Sequence, residues 1–224
     1  PLLTNARFDS SDFHWEVLAS HAALLGRGGL FRLFVHSSFT QSDRNIIMLS
    51  PPRLLLEKRK YYAAPLDSNP YLQKYKQYML EFLELLGAER EAVEPQVDNI
   101  LVFETQIANA TQRDNQRNHT AINNAVRFGD FKMRLSKIKW DLYLNDEMRT
   151  YLAPLSEATM VNVLDPAYFD RMSLLLTGSR MQVINDYIWW QLVSSLDAFL
   201  PRRFRAPAAR FRAWLGASDE DAEP

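Results

Sequence analysis

Apolar residues return every three or four positions along most of this chain, the spacing of helices that bury one face. Trp15, Leu18, Ala22 and Leu25 form the first such stripe, so a helix is predicted from an Asp12 cap to Leu25, ended by the glycine-rich stretch 26–29. The period then changes. Residues 30–35 and 45–49 are short apolar runs separated by the polar segment 37–44, which predicts a β-hairpin with a long loop, and Pro51 and Pro52 stop its second strand. Helical spacing resumes at Asn69 and Pro70, a cap followed by proline in the first turn. Tyr71, Tyr75, Tyr78, Met79, Phe82, Leu85 and Leu86 share its face, and Gly87 closes it.

A third helix is predicted over 95–110 from Val97, Ile100, Leu101, Ile107 and Ala108, followed by a polar surface loop at 112–120. Residues 131–138 and 140–144 read as short helical or turn pieces, 145–152 as a short amphipathic helix ended by Pro154, and 159–164 as a short strand or extended segment. Residues 166–176 form another helix, stopped by Thr177 and Gly178. Ser179 is placed as the cap of a long helix to about Phe199 carrying Val183, Ile184, Tyr187, Trp190, Leu192 and Leu196. An arginine-rich amphipathic stretch at 204–215 follows, then acidic residues. The fold class predicted is mainly α: one multi-helix lobe over 1–216 with one β-hairpin insert near residues 30–49, and an acidic tail over 217–224 without structure.

Composition narrows the function classes. At 224 residues, with 47% hydrophobic and 24% charged side chains, the chain can bury a large core and is not a disordered segment. A net charge of −1 gives no electrostatic footprint for nucleic acid. With no cysteine there is no disulfide, no thiolate nucleophile and no cysteine metal ligand. No apolar run approaches the roughly 20 residues that span a bilayer, so no membrane segment is expected in these residues. The start at Pro1, without methionine or a signal-peptide core, reads as a piece of something longer.

Candidate chemistry is sparse. His14 and His21 stand seven apart, about 10 Å along a helix axis and too far for one zinc, while metal helices place ligands three or four apart. His36 at a strand end and His119 in the polar loop take the same bland reading. Ser194 and Ser195 lie inside a helix, where hydroxyls return to their own backbone. No catalytic and no metal-ligating residue is assigned. The tyrosine stripe from Tyr71 to Phe82 is core by its spacing. Glu104 flanks the apolar face of its helix and is expected to be partly buried in a structural ion pair with arginine or lysine. Arg202, Arg203, Arg205, Arg210 and Arg212 read as a solvated, partly paired basic face. Asn109 and Asn118 each begin an N-glycosylation triplet, relevant for a secretory chain.

Several stretches carry a resemblance. Residues 103–111 end a helix in glutamate, three spacers and alanine; 165–172 and 185–196 are two further blocks. Residues 52–62 run Pro-Arg-Leu-Leu-Leu-Glu-Lys-Arg-Lys-Tyr-Tyr. In this order, with the opening Pro-Leu-Leu, the hairpin, the tyrosine helix, 140–144 and the basic helix 210–216, they resemble the N-terminal, helical part of the ectodomain of the neprilysin and endothelin-converting-enzyme family of zinc metalloendopeptidases. Within 52–62 the chain departs from that family's pattern: Leu55 replaces a glycine and Glu57 a proline, so the turn there is expected to be rebuilt. The tryptophan expected near the start is also absent.

The resemblance implies a lobe that encloses a substrate cavity over a separate zinc lobe. The family's H-E-x-x-H helix, its downstream glutamate and its asparagine-alanine-x-tyrosine strand match nothing in this chain. It therefore implies no cofactor held by these residues, with zinc in the full-length family, the missing zinc lobe as partner, and peptides as substrates. It places the protein at the extracellular face of the plasma membrane or in secretion. A catalytically dead peptide- or partner-binding module is the alternative reading. A helical adaptor outside the family is a third, and a helical rather than hairpin 30–49 segment would mark it.

Overall fold

A computed structural model describes residues 8–9, 11–27, 29–41, 43–111, 122–144, 155–196 and 199–220. Helix α1 (Trp15–Leu24) buries Ala19 and Ala22. Its N-cap is His14, not Asp12, which lies exposed two residues before that cap. Gly26 at φ +86° ends α1, with the Gly26 and Arg27 amides reaching back to the Ala23 and Ala22 carbonyls, each at 2.9 Å. Only glycine takes that left-handed conformation without strain, so the predicted stop is physical.

The predicted hairpin is present as β1 (Arg32–Ser37) and β2 (Asn45–Ser50), paired antiparallel with Leu33 opposite Leu49. It is not a lone insert, however. Strand β3 (Ala125–Arg127) pairs antiparallel with β4 (Met160–Val163), and β4 runs parallel to β2 with Asn162 opposite Met48. The sheet order is β1-β2-β4-β3. Buried Asn162 fastens the far edge, accepting from the Asn124 amide at 2.6 Å and donating to the Ile122 carbonyl at 2.9 Å. The segment 159–164, expected to be a short strand or extended, holds β4, whereas β3, at three residues, is too short to display alternation.

The helical body is built on α2 (Pro70–Leu85) and α3 (Arg90–Ala110). Asn69 caps α2 as predicted, accepting from the Tyr71 and Leu72 amides, and Gly87 at φ +94° closes it. Helix α3 starts five residues earlier than predicted, leaving Pro95 inside it. Proline there removes one backbone bond; Val93 and Val97 pack inward on either side, and Lys76 of α2 bridges Glu94 at 2.8 Å and Asp98 at 2.7 Å. Short helices α4 (Phe128–Arg134) and α5 (Trp140–Tyr143) pack Phe131 and Trp140 against Phe31 and Phe169.

Helices α6 (Pro166–Gly178) and α7 (Met181–Ser195) meet at Ser179. Ser179 ends α6, its hydroxyl donating to the Leu175 carbonyl at 2.7 Å, rather than capping α7, whose N-cap is Arg180. The basic stretch becomes α8 (Arg202–Glu220). The backbone at 217–220 is thus helical where an unstructured tail was expected, while 221–224 lie outside the described residues, as do the predicted 112–120 loop with Asn118 and His119, the 145–152 helix and the opening Pro-Leu-Leu. The tyrosine stripe of α2 is core: Tyr75 and Tyr78 stack on Phe211 of α8 at 5.6 and 5.5 Å, and Tyr78 and Phe82 meet Trp190 of α7 edge-on. The architecture is mainly helical, as predicted.

Candidate functional site

The resembling stretches converge inside this body. The short turn of 3-10 helix Arg59–Tyr62 crosses the end of α3, where the Arg59 guanidinium donates to the Thr111 and Asn109 carbonyls at 3.4 and 3.5 Å. A cation there answers the negative end of a helix. Tyr61 and Tyr62 then turn inward and are fully buried. The Tyr62 hydroxyl donates to Glu104 Oε1 at 2.5 Å. Tyr75 of α2 and the Gln191 side-chain amide of α7 both donate to Oε2 at 3.1 Å, and the Leu55 backbone amide adds a further donor. Trp190 Nε1 donates in turn to the Tyr75 hydroxyl at 2.7 Å.

Glu104 is 0% exposed. Its partners among the described residues are neutral donors, so the expected ion pair with arginine or lysine is replaced by a clasp of hydroxyls and amides. Carboxylate oxygens are acceptors only, and the groups facing this one all donate, so the clasp is complete without a counter-cation. Burial pushes the Glu104 carboxyl up to about 7, against the opposing pull of the hydrogen bonds from Tyr62, Tyr75 and Leu55. Burial first, then the neighbouring carboxylate, holds the Tyr62 and Tyr75 hydroxyls well above their ordinary range, so both remain protonated donors. Leu55, standing where the resembling pattern has glycine, needs no left-handed backbone: among the described residues positive φ is confined to glycine.

The other candidates do not join this centre. His14 lies exposed at the start of α1, 3.3 Å from Lys139 Nζ, and His36 is exposed with Nδ1 at 3.0 Å from the Ser37 carbonyl. Among the described residues no three His, Cys, Asp or Glu side chains are grouped as metal ligands, so the donor set here does not fit a zinc ion. Ser194 and Ser195 donate to the Gln191 and Leu192 carbonyls at 3.2 and 2.6 Å. Asn109 is exposed in the last turn of α3. The basic face divides: Arg210 pairs with Glu81 at 2.5 Å, Arg203 lies 4.8 Å over the Phe204 ring, and Arg212 turns into a cleft.

The sequence carries no local signal for that cleft, whose lining comes from scattered positions. The cleft has a volume of about 490 Å³ and lies between the turn after α1, residues 53–57 and α8. Arg27, Arg32, Arg53 and Arg212 line it with one carboxylate, Glu57, above a seat that includes Leu55, Tyr78 and Phe211. Gln191 and Leu55 belong to both cleft and clasp.

The fold has counterparts among known proteins. The sequence profile described as Peptidase family M13, covering its N-terminal part, matches residues 2–223. Human endothelin-converting enzyme 1 is 29% identical over 183 residues, which cover 81% of this chain and 24% of that protein. An endothelin-converting enzyme homolog of Locusta migratoria is 25% identical over 220 residues, covering 94% and 30%. Among solved structures, the Mycobacterium tuberculosis zinc metalloprotease Zmp1 in complex with inhibitor superposes with a TM-score of 0.78 at 20% identity over 91% of this chain and 31% of that one. PepO from Lactobacillus rhamnosis superposes at 0.71 and 16% identity over 90% and 32%. This chain belongs to peptidase family M13, a family of zinc metalloendopeptidases, and represents its N-terminal region. It spans about a quarter of the length of the human relative.

Proposed function

We propose that this chain builds part of the wall of the lobe that encloses the substrate cavity in a neprilysin-like zinc metalloendopeptidase, and that it serves peptide processing only together with the family's metal-bearing lobe. One observation carries the reading. The stretches that resemble the family, at 52–62, 71–86, 103–111 and 185–196, meet around Glu104 as mutually satisfied, buried hydrogen-bonding groups. Such a cluster fixes how helices sit and offers no open position to a substrate. Activating water on a peptide bond in this family calls for a Lewis acid, and among the described residues no three His, Cys, Asp or Glu side chains are grouped to take one. Placement at the extracellular face of the plasma membrane or in secretion is part of the same reading and rests on the family; no helix among the described residues is long and apolar enough to cross a membrane.

The test is direct. Purified chain incubated with zinc and a fluorogenic peptide is expected to show no chelator-sensitive hydrolysis, and elemental analysis after dialysis no stoichiometric zinc. One tightly held zinc per chain, or cleavage that a chelator abolishes, contradicts the reading.

A further inference from the structure

The arginine-lined cleft has features the clasp lacks. Its charges stand at an open surface, four guanidiniums against the single carboxylate of Glu57, in a chain whose net charge is −1. Concentrating one sign of charge in a concavity raises the local potential and draws in the opposite charge. Arg32 is held in place, donating to Ser50 Oγ at 3.0 Å and to the Pro51 carbonyl at 3.3 Å. Arg27, half-buried, and Arg53, exposed, have side chains with no hydrogen-bond or ion-pair partner among the described residues. Guanidinium forks match the planar, two-oxygen geometry of carboxylates.

Beneath the charges the seat is apolar and aromatic, with Leu55, Tyr78, Phe211 and Leu215. It is also rigid. Tyr78 and Phe211 stack on each other at 5.5 Å, and Gln191 and Leu55 are tied to Glu104. A bare inorganic anion has no use for such a seat, and a volume of about 490 Å³ accommodates a ligand of several residues.

We propose that this cleft binds short acidic peptides, with ligand carboxylates taken by Arg27 and Arg53 and an adjoining apolar side chain resting on Tyr78 and Phe211. Such binding needs neither zinc nor a second lobe, so it stands or falls separately from the chamber wall.

Calorimetric titration of the whole chain tests it with three probes: an acetylated, amidated tetrapeptide of aspartate, glutamate, leucine and phenylalanine; the same peptide with asparagine and glutamine; and pyrophosphate. The acidic peptide is expected to bind with an affinity that falls as salt rises, and the neutral analogue about tenfold or more weakly. Combining Arg27→Gln with Arg53→Gln is expected to remove binding, while Arg171→Gln, exposed on α6 away from the cleft, leaves it unchanged. Circular dichroism checks that the double variant is folded; should it not be, Arg53→Gln alone, at an exposed side chain, decides the matter by a loss of about tenfold. Equal binding of the neutral peptide, tighter binding of pyrophosphate than of the acidic peptide, or indifference to Arg53→Gln overturns the assignment.

Discussion

Two polar assemblies share a wall in this molecule and behave oppositely. Around Glu104 every group is sealed from water and answered by another: donors from Tyr62, Tyr75, Gln191 and Leu55 converge on one carboxylate. In the cleft beyond Gln191 and Leu55, guanidiniums face solvent, and Arg27 and Arg53 answer nothing among the described residues. The contrast teaches how to read polar residues in a fold whose chemistry is not self-evident. A buried group with its bonding complete is holding elements together, because removing its partner leaves an unpaired group in a low-dielectric interior. An open group with bonding capacity to spare contributes little to stability and is where recognition is to be sought.

The largest effect that sharpens this contrast is expected from Glu104→Ala. It strands two hydroxyls and two amides at once, and urea unfolding should show a loss of about 4 kcal/mol. A loss below about 1 kcal/mol would mean that the donors find water or one another, and would break the distinction.

Next comes pH. Glu104 titrates at about 7 in the fold against an ordinary value of 4.5, so the folded protein keeps a proton that the unfolded chain gives up. Its contribution is therefore fully present below pH 4.5 and is lost as pH rises through about 7, amounting to about 3 kcal/mol across that window. The stability difference between the natural chain and Glu104→Gln, followed from pH 4 to 8, should fall by that order, since glutamine does not titrate. A flat difference would show that the converging donors outweigh burial and keep the carboxylate ionised throughout.

Smaller again, Tyr62→Phe removes one charge-assisted bond without leaving a hole and should cost about 2 kcal/mol. At the foot of the scale, Arg53→Gln in the cleft should leave the unfolding midpoint where it is, while changing what the surface attracts. A marked destabilisation there would make the cleft a second structural network instead.

Much of the scaffold was legible because its signals are local. The cap at Asn69, the stop at Gly87 and the helical spacing of Tyr71 to Leu86 all lie within one element, and the hairpin declares itself by a change of period. The failures share a cause as well. The pairing of β4 with β2 and β3 joins segments more than thirty positions apart, through strands too short to alternate. A start at Pro95 is what the rule that proline opens helices predicts, yet α3 begins at Arg90, with Val93 and Val97 packed inward on either side of the proline.

Glu104 shows the limit most clearly. Its burial could be read from the apolar face it flanks, but its partners lie 42, 29 and 87 positions away, and the sequence offers no means of preferring a tyrosine to an arginine. The one signal that pointed there was the Tyr61-Tyr62 pair after Arg59, legible only through resemblance. The cleft was invisible for the same reason: Arg27, Arg32 and Arg53 are scattered singly along the chain, and only Arg212 sat in a stretch that looked basic.

The central claim is that Glu104 acts as the shared acceptor joining the family-like segments, and one double-mutant cycle puts it to the test. Urea unfolding of the natural chain, Tyr62→Phe, Glu104→Ala and the combined variant should show Tyr62→Phe destabilising by about 2 kcal/mol when Glu104 is present, and neutral or stabilising when it is absent, since the hydroxyl then has nothing to donate to. Equal losses in both backgrounds would contradict it, showing that the Tyr62 hydroxyl and the Glu104 carboxylate hold the fold independently.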